Sequence, residues 1–189
     1  PKDAQKIEKA TRKEFADGIP AFGTDALRFT FTSLASTGRD INFDLKRIEG
    51  NRNFCNKIWN ATRFVLMNCA DKEGHALAID TAANTALWEL PEQWIMSRLN
   101  STVNAIHTHM SQYRFDLVSQ DIYEFIWNEY CDWYVELAKS SLNDDSVSDE
   151  RKAQIRYVLL NCLEVAMRFS HPIMPYITES IWQTIAPII

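Results

Sequence analysis

The sequence predicts an all-α protein, an antiparallel helical bundle, and three observations carry that expectation. Glycine and proline are scarce, at 5 and 6 of 189 residues, which argues against a turn-rich all-β chain. Apolar residues recur at three- and four-residue spacing through several long segments. The polar connections between most of those segments are short, which places successive helices antiparallel.

In chain order, residues 3–16 read as a charged helix that stops at Asp17-Gly18, with Pro20 beyond. Thr24 is the expected N-cap of a second helix, 25–36, with Leu27, Phe31, Leu34 and Ala35 as its core face. The third helix is expected from about Asp44 to Cys69, after the loop Thr37-Gly38-Arg39-Asp40. Residues 70–86 lack clear periodicity and read as a long surface connection. Pro91 suits the first turn of a helix reaching about Gln112. Asp116 is the expected cap of an aromatic-rich helix, 117–139, followed by a polar loop from Ser140 to Ser148. Ser148, with Asp149 and Glu150, then opens a helix over 149–170, because acids complement the positive helix end. His171-Pro172 ends it, and Pro175 begins the last helix.

Composition narrows the class further. Hydrophobic residues make up 46% and charged residues 24%, the balance of a soluble globular protein with a substantial core. No run approaches the ~18 uncharged apolar residues that a transmembrane helix needs. Both termini look cut from something longer, since Pro1 replaces an initiator Met and Ile189 ends an uncapped apolar stretch. Cys55, Cys69, Cys131 and Cys162 form no CxxC pair and each falls in an apolar helical pattern, so they read as reduced core thiols of a cytoplasmic protein. His107 and His109 point about 200° apart on a helix and have no Glu at metal-ligand spacing, so no metal site is expected. Asp121, Glu124, Glu129, Asp132 and Glu136 are read as solvated or ion-paired rather than catalytic. Trp127, Trp133, Tyr134 and Trp182 are read as packing between helices.

Charge is uneven. The formal net charge of −5 divides into +4 over residues 1–63 and −9 over residues 64–189. The third helix concentrates the basic character. At 100° per residue, Ile48, Phe54, Cys55, Ile58, Trp59, Thr62, Val65 and Leu66 share a broad core side. An opposite arc, roughly 140° wide by that projection, holds Lys46, Glu49, Arg52, Asn53, Asn56, Lys57, Asn60 and Arg63, together with an out-of-place Phe64. Between Gly50 and Ala70 there are three bases and no acid. A plain solvated face favours Glu, Lys, Gln and Ala, which support helix formation. Asparagine is a poor helix former, but it offers a donor and an acceptor to a base edge, and arginine pairs with phosphate or stacks on a base. The residues alone leave both a solvated face and an RNA-contacting face open.

The stretches 23–29, 35–42, 52–64, 123–125, 131–134 and 171–179, in that order, resemble the valyl-tRNA synthetases, a family of class I aminoacyl-tRNA synthetases. Gly23-Thr24-Asp25-Ala26-Leu27-Arg28-Phe29 and Ala35-Ser36-Thr37-Gly38-Arg39-Asp40-Ile41-Asn42 look like the segment after that class's Lys-Met-Ser-Lys-Ser loop. Arg52-Asn53-Phe54-Cys55-Asn56-Lys57-Ile58-Trp59-Asn60-Ala61-Thr62-Arg63-Phe64 resembles the first helix of the family's anticodon-binding domain. Tyr123-Glu124-Phe125, Cys131-Asp132-Trp133-Tyr134 and His171-Pro172-Ile173-Met174-Pro175-Tyr176-Ile177-Thr178-Glu179 follow in the same order. The isoleucine and leucine relatives share the general pattern, and the Thr37–Asn42 stretch favours the valine type.

The resemblance implies a stem-contact region over 1–43 and an anticodon-binding helical bundle over 44–189. It implies an ATP-dependent, AMP-forming aminoacyl ligase as the parent, with valine tRNA and the catalytic and editing domains of the same polypeptide as partners. The expected state is a cytoplasmic monomer. Neither active-site signature of the class, His-Ile-Gly-His or Lys-Met-Ser-Lys-Ser, occurs here, so ATP and Mg would belong to the missing catalytic domain and no cofactor or catalytic residue to this chain. The implied tRNA-binding residues are Arg39, Arg52, Asn53, Phe54, Asn56, Lys57, Asn60 and Arg63, with Phe54 placed at the core edge and more suited to the core than to stacking. A helical protein-interaction bundle and a small-molecule or metal-binding bundle are the rival classes.

Overall fold

A computed structural model of the chain describes residues 2–36, 43–70, 77 and 82–189. Helix ends follow local chemistry. Gly18, at φ 82°, takes the left-handed conformation just past α1 (Lys2–Glu14), where a side chain would be strained. Asp44 accepts a hydrogen bond from Lys46 N (3.0 Å) and caps α3 (Leu45–Cys69). Glu92 reaches back to accept from Glu89 N (3.1 Å) at the start of α4 (Leu90–Ser111), where Pro91 sits in the first turn. Ser148 accepts from Arg151 N (3.3 Å) and opens α7 (Asp149–Ser170), and Pro175 opens α8 (Pro175–Ile185).

Two expected caps are corrected. Gly23, at φ 93°, flanks α2 (Thr24–Leu34) and Thr24 is already helical, because a glycine tolerates the entry angle. Asp116 instead chelates the Arg114 guanidinium at 2.7 and 2.9 Å, one residue inside α5 (Phe115–Tyr123). That contact holds the Asp116 carboxyl below its usual range. The aromatic-rich helix is also not uniform. From Glu124 to Tyr134 it is π-helical, and α6 (Val135–Leu142) completes it, so the following loop starts at Asn143 and not at Ser140. Val135 N donates to Tyr130 O, five residues back.

The bundle closes around α7, which packs on α3, α4, α6 and α8. Ile155, Val158, Leu159, Cys162, Leu163 and Met167 are fully or almost fully buried there. All four cysteines are unbridged, and burial pushes the Cys69 and Cys131 thiols up to about 12. The Tyr130 hydroxyl donates to Leu159 O (2.8 Å), satisfying a phenol with no route to water. Gln154 is likewise buried, accepting from Trp88 Nε1 (2.7 Å) and donating to Ala82 O (3.1 Å). There is no extended strand among the described residues.

Helix α2 lies before the proposed boundary at residue 43, yet it packs on α3, α5 and α8. Arg28 donates to Pro172 O and Ile173 O (3.0 and 2.8 Å), and Asp25 accepts from Ile177 N (2.6 Å) at the start of α8. Its buried residues are Asp25, Ala26, Phe29 and Thr30. The expected core face is therefore wrong in rotation. Leu27 and Phe31 are exposed and line an open apolar groove of about 530 Å³ with Ile19 and Phe43, whereas Leu34 and Ala35 are half-buried.

A buried ion pair ties α4 to α7. Arg151 Nη2 donates to Glu92 Oε2, and the Tyr134 hydroxyl lies 3.4 Å from the other carboxylate oxygen. Removing one partner leaves the other charge stranded, at a cost of about 3–5 kcal/mol. Arg151→Ala is therefore expected to lose about that much in urea unfolding. A loss below ~1 kcal/mol would show that water reaches Glu92.

Candidate nucleic-acid interface

The rotation of α3 is set from inside. Phe54 has no solvent exposure, and its ring lies 5.1 Å from Phe29, 4.9 Å from Tyr123 and 6.3 Å from Trp127, centroid to centroid. Tyr123 and Trp127 stack at 5.4 Å with planes 11° apart. Ile58, Ala61, Thr62, Val65 and Cys69 complete the buried side. Phe54 is therefore removed from the set of RNA-contacting residues: its ring faces are already covered by aromatic neighbours, and a base could reach it only by unpacking the core.

What faces outward is narrower than the sequence arc. Asn53, Asn56, Asn60 and Arg63 are exposed, and among the described residues none makes a side-chain hydrogen bond or ion pair. Arg52 is half-exposed; it lies 3.7 Å from Glu49 and 5.6 Å from the Phe22 ring centroid. Lys57 is committed inward. Its ammonium donates to Asp132 (2.5 Å) and sits 5.2 Å from the Trp127 ring centroid. The hydrogen bond to Asp132 raises the Lys57 pKa against the smaller opposing effect of burial. Lys57 is thus a cation already partnered, not one waiting for phosphate. Arg39 lies outside the described residues, as does the Thr37–Asn42 stretch.

Phe64, awkward on a purely solvated arc, packs at the edge of the core with the Lys139 ammonium 5.1 Å from its ring centroid. Two aromatic expectations fail. Trp59, placed on the core side by projection, is 43% exposed, and Trp133, read as packing between helices, is 63% exposed. The acids opposite α3 are largely spent in pairs: Asp121 with His109 (2.7 Å), Glu129 with Arg98 (2.7 Å) and Glu136 with Lys139 (2.6 Å). Burial raises the Glu129 pKa against the pull of Arg98.

This geometry offers a helix face with no acid from residue 51 to 69, carrying amides and a guanidinium that are unengaged among the described residues, on a packed core. Such a face can meet polar edges and negative charge.

Residues 92–188 match the family described as the anticodon-binding domain of tRNA ligase. The whole chain is 82% identical to the valine–tRNA ligase of Psychrobacter arcticus and 65% identical to that of Acinetobacter baylyi, covering 19% of each. It is 54% identical to the valine–tRNA ligase of Coxiella burnetii, covering 20% of it. The chain thus spans about a fifth of the length of the curated relatives it matches. In backbone shape it matches the crystal structure of the apo (free-state) form of Mycobacterium tuberculosis methionyl-tRNA synthetase with a TM-score of 0.66 at 17% identity, over 85% of this chain and 32% of that one. At that identity the likeness speaks to the fold alone. The family match takes in just over half of the residues, and the chain belongs to the anticodon-binding domain family of tRNA ligases.

Proposed function

We propose that this chain is the anticodon-reading part of a valine–tRNA ligase, holding valine tRNA while a catalytic domain elsewhere in the polypeptide performs ATP-dependent aminoacylation. The observation that carries the reading is the outer face of α3, where Asn53, Asn56, Asn60 and Arg63 are exposed and unengaged on a helix without acids from residue 51 to 69. An unpaired loop shows Watson–Crick edges that an A-form stem hides, so amides and guanidinium planes can discriminate bases there. The high identity to relatives named valine–tRNA ligase selects valine over isoleucine or leucine.

Residues 1–43 are proposed to contact the tRNA stem and 44–189 to form the anticodon bundle. ATP and Mg are assigned to segments outside this chain, as are the catalytic and editing domains. The complete protein is proposed to work as a cytoplasmic monomer; among the described residues no helix is long and apolar enough to cross a membrane.

Two outcomes check the reading in the complete enzyme. Asn56→Ala and Asn60→Ala should each cost on the order of 1–3 kcal/mol in binding valine tRNA, with a smaller gap between cognate and anticodon-changed tRNA and unchanged folding. Unchanged affinity and discrimination in both variants would leave a merely solvated face. Second, Arg63→Ala should reduce the salt dependence of binding, by a slope of about 0.7 if one single-stranded phosphate contact is lost. Lys57→Ala should reduce it less, because its charge is already paired with Asp132. An equal or larger effect at Lys57, measured by titration at two salt concentrations, would mean that RNA displaces Asp132.

A further inference from the structure

Six tryptophans occur in the chain, and their settings differ. Trp88 donates its indole N–H to Gln154, Trp127 stacks on Tyr123, and Trp94 packs at the edge of the core. Trp59 does none of these. It is 43% exposed, and among the described residues its indole N–H has no acceptor and its ring no aromatic or cationic partner. A tryptophan drawn into a core normally finds both packing and a hydrogen-bond partner for its indole N–H. Trp59 keeps part of its ring surface open instead.

Its surroundings say what that surface suits. On α3, Arg63 lies one turn on from Trp59 and Arg52 two turns back, within roughly 20–40° of the same direction at 100° per residue. Asn56 is the next exposed side chain round the helix, and Met67, 69% exposed, continues the line two turns beyond. Aromatic ring, guanidinium and amide together, with Glu49 beside Arg52 as the one acid of the helix, match the chemistry of an unpaired nucleotide: the ring takes the base face, the arginines the phosphates, the amide an edge. Trp133 is more exposed but lies beside Asp132, with Glu129 and Glu136 on the turns before and after it. Phosphate would be repelled there.

We infer that Trp59 is a stacking platform for one unpaired base of the bound tRNA, positioned between Arg52 and Arg63. The inference rests on the anticodon-reading function proposed above and adds a specificity-neutral contact that supplies affinity, beside asparagines that discriminate.

The test uses the complete ligase with valine tRNA and with its synthetic anticodon stem–loop, intact or with one loop nucleotide made abasic. Trp59→Leu should weaken binding by roughly 10- to 100-fold, while the thermal midpoint stays within a few degrees. Trp59→Phe, which keeps a ring face, should recover most of the loss, and Trp133→Leu should bind as the parent does. At one loop position the abasic substitution should weaken the parent but weaken Trp59→Leu no further, which a purely structural tryptophan would not produce. Parent-like binding by Trp59→Leu overturns the inference. So does a loss that Phe fails to restore, or one that combines additively with every abasic position, as expected if another segment of the polypeptide covers the ring. If Asn56→Ala and Asn60→Ala lose binding while Trp59→Leu does not, the stacking fails and anticodon reading stands. If all three bind like the parent, both fail.

Discussion

The packing of Phe54 against Phe29, Tyr123 and Trp127 is the constraint on which the outer surface of α3 depends. A helix is a rigid cylinder, so fixing one large side chain fixes the direction of every other. With Phe54 inward, Ile58, Val65 and Cys69 follow it into the core, and Asn53, Asn56, Asn60 and Arg63 have no direction left but outward. Burying a phenylalanine contributes about 1.5–3 kcal/mol, and Ile58, Val65 and Cys69 add to it, so the rotation is set by the core as a whole and not by contacts on the exposed face. A recognition surface gains from that division, since its polar side chains lie on a support that need not reorganise when RNA arrives.

Charge follows the same division. The acids of α5, the π-helical segment and α6 are drawn into pairs with His109, Arg98, Lys57 and Lys139. The net charge of −9 over residues 64–189 already counts Arg98 and Lys139, so among these pairs only Lys57 adds positive charge from outside the segment, and that side still repels phosphate. Beside the exposed Lys46 and Arg47 of its first turn, the positive character of α3 rests on Arg63, on Arg52, 3.7 Å from Glu49, and on the absence of acids between residues 51 and 69. Lys57 serves a different purpose: its ammonium bridges Trp127 and Asp132 and so joins α3 to the π-helical segment.

Much of the fold was legible because helix boundaries are local. Asp44, Ser148 and Pro175 act within one turn of their own positions, and each marks the helix start it was expected to mark. Over the 25 residues of α3 the apolar period also identifies the core side, with Trp59 as the exception at its edge. What was hidden depends on partners remote in sequence. α2 has only 11 residues and apolar groups on two sides, so the choice between Phe29 and Phe31 as the buried ring is made by α3 and α5, not by its own pattern. The Lys57–Asp132 pair spans 75 positions, beyond the reach of any spacing rule. The π-helical segment turns more widely than the 3.6-residue period assumes, so projection through it drifts, and Trp133 emerges on the surface. Of the candidate site, the amides and Arg63 were readable from their arc and Phe54 from the core side of the same projection, whereas the commitment of Lys57 to Asp132 was not.

The central claim, that one face of α3 defined by the burial of Phe54 is where RNA is met, is tested most directly by oxidative footprinting of the complete enzyme with and without valine tRNA. Trp59 and Met67 on that face, and Met110, Tyr113 and Trp133 away from it, are exposed side chains that hydroxyl radicals modify readily. Bound tRNA is expected to protect Trp59 and Met67 several-fold and to leave Met110, Tyr113 and Trp133 unchanged. Protection of Met110 and Tyr113 with none at Trp59 or Met67 would contradict it.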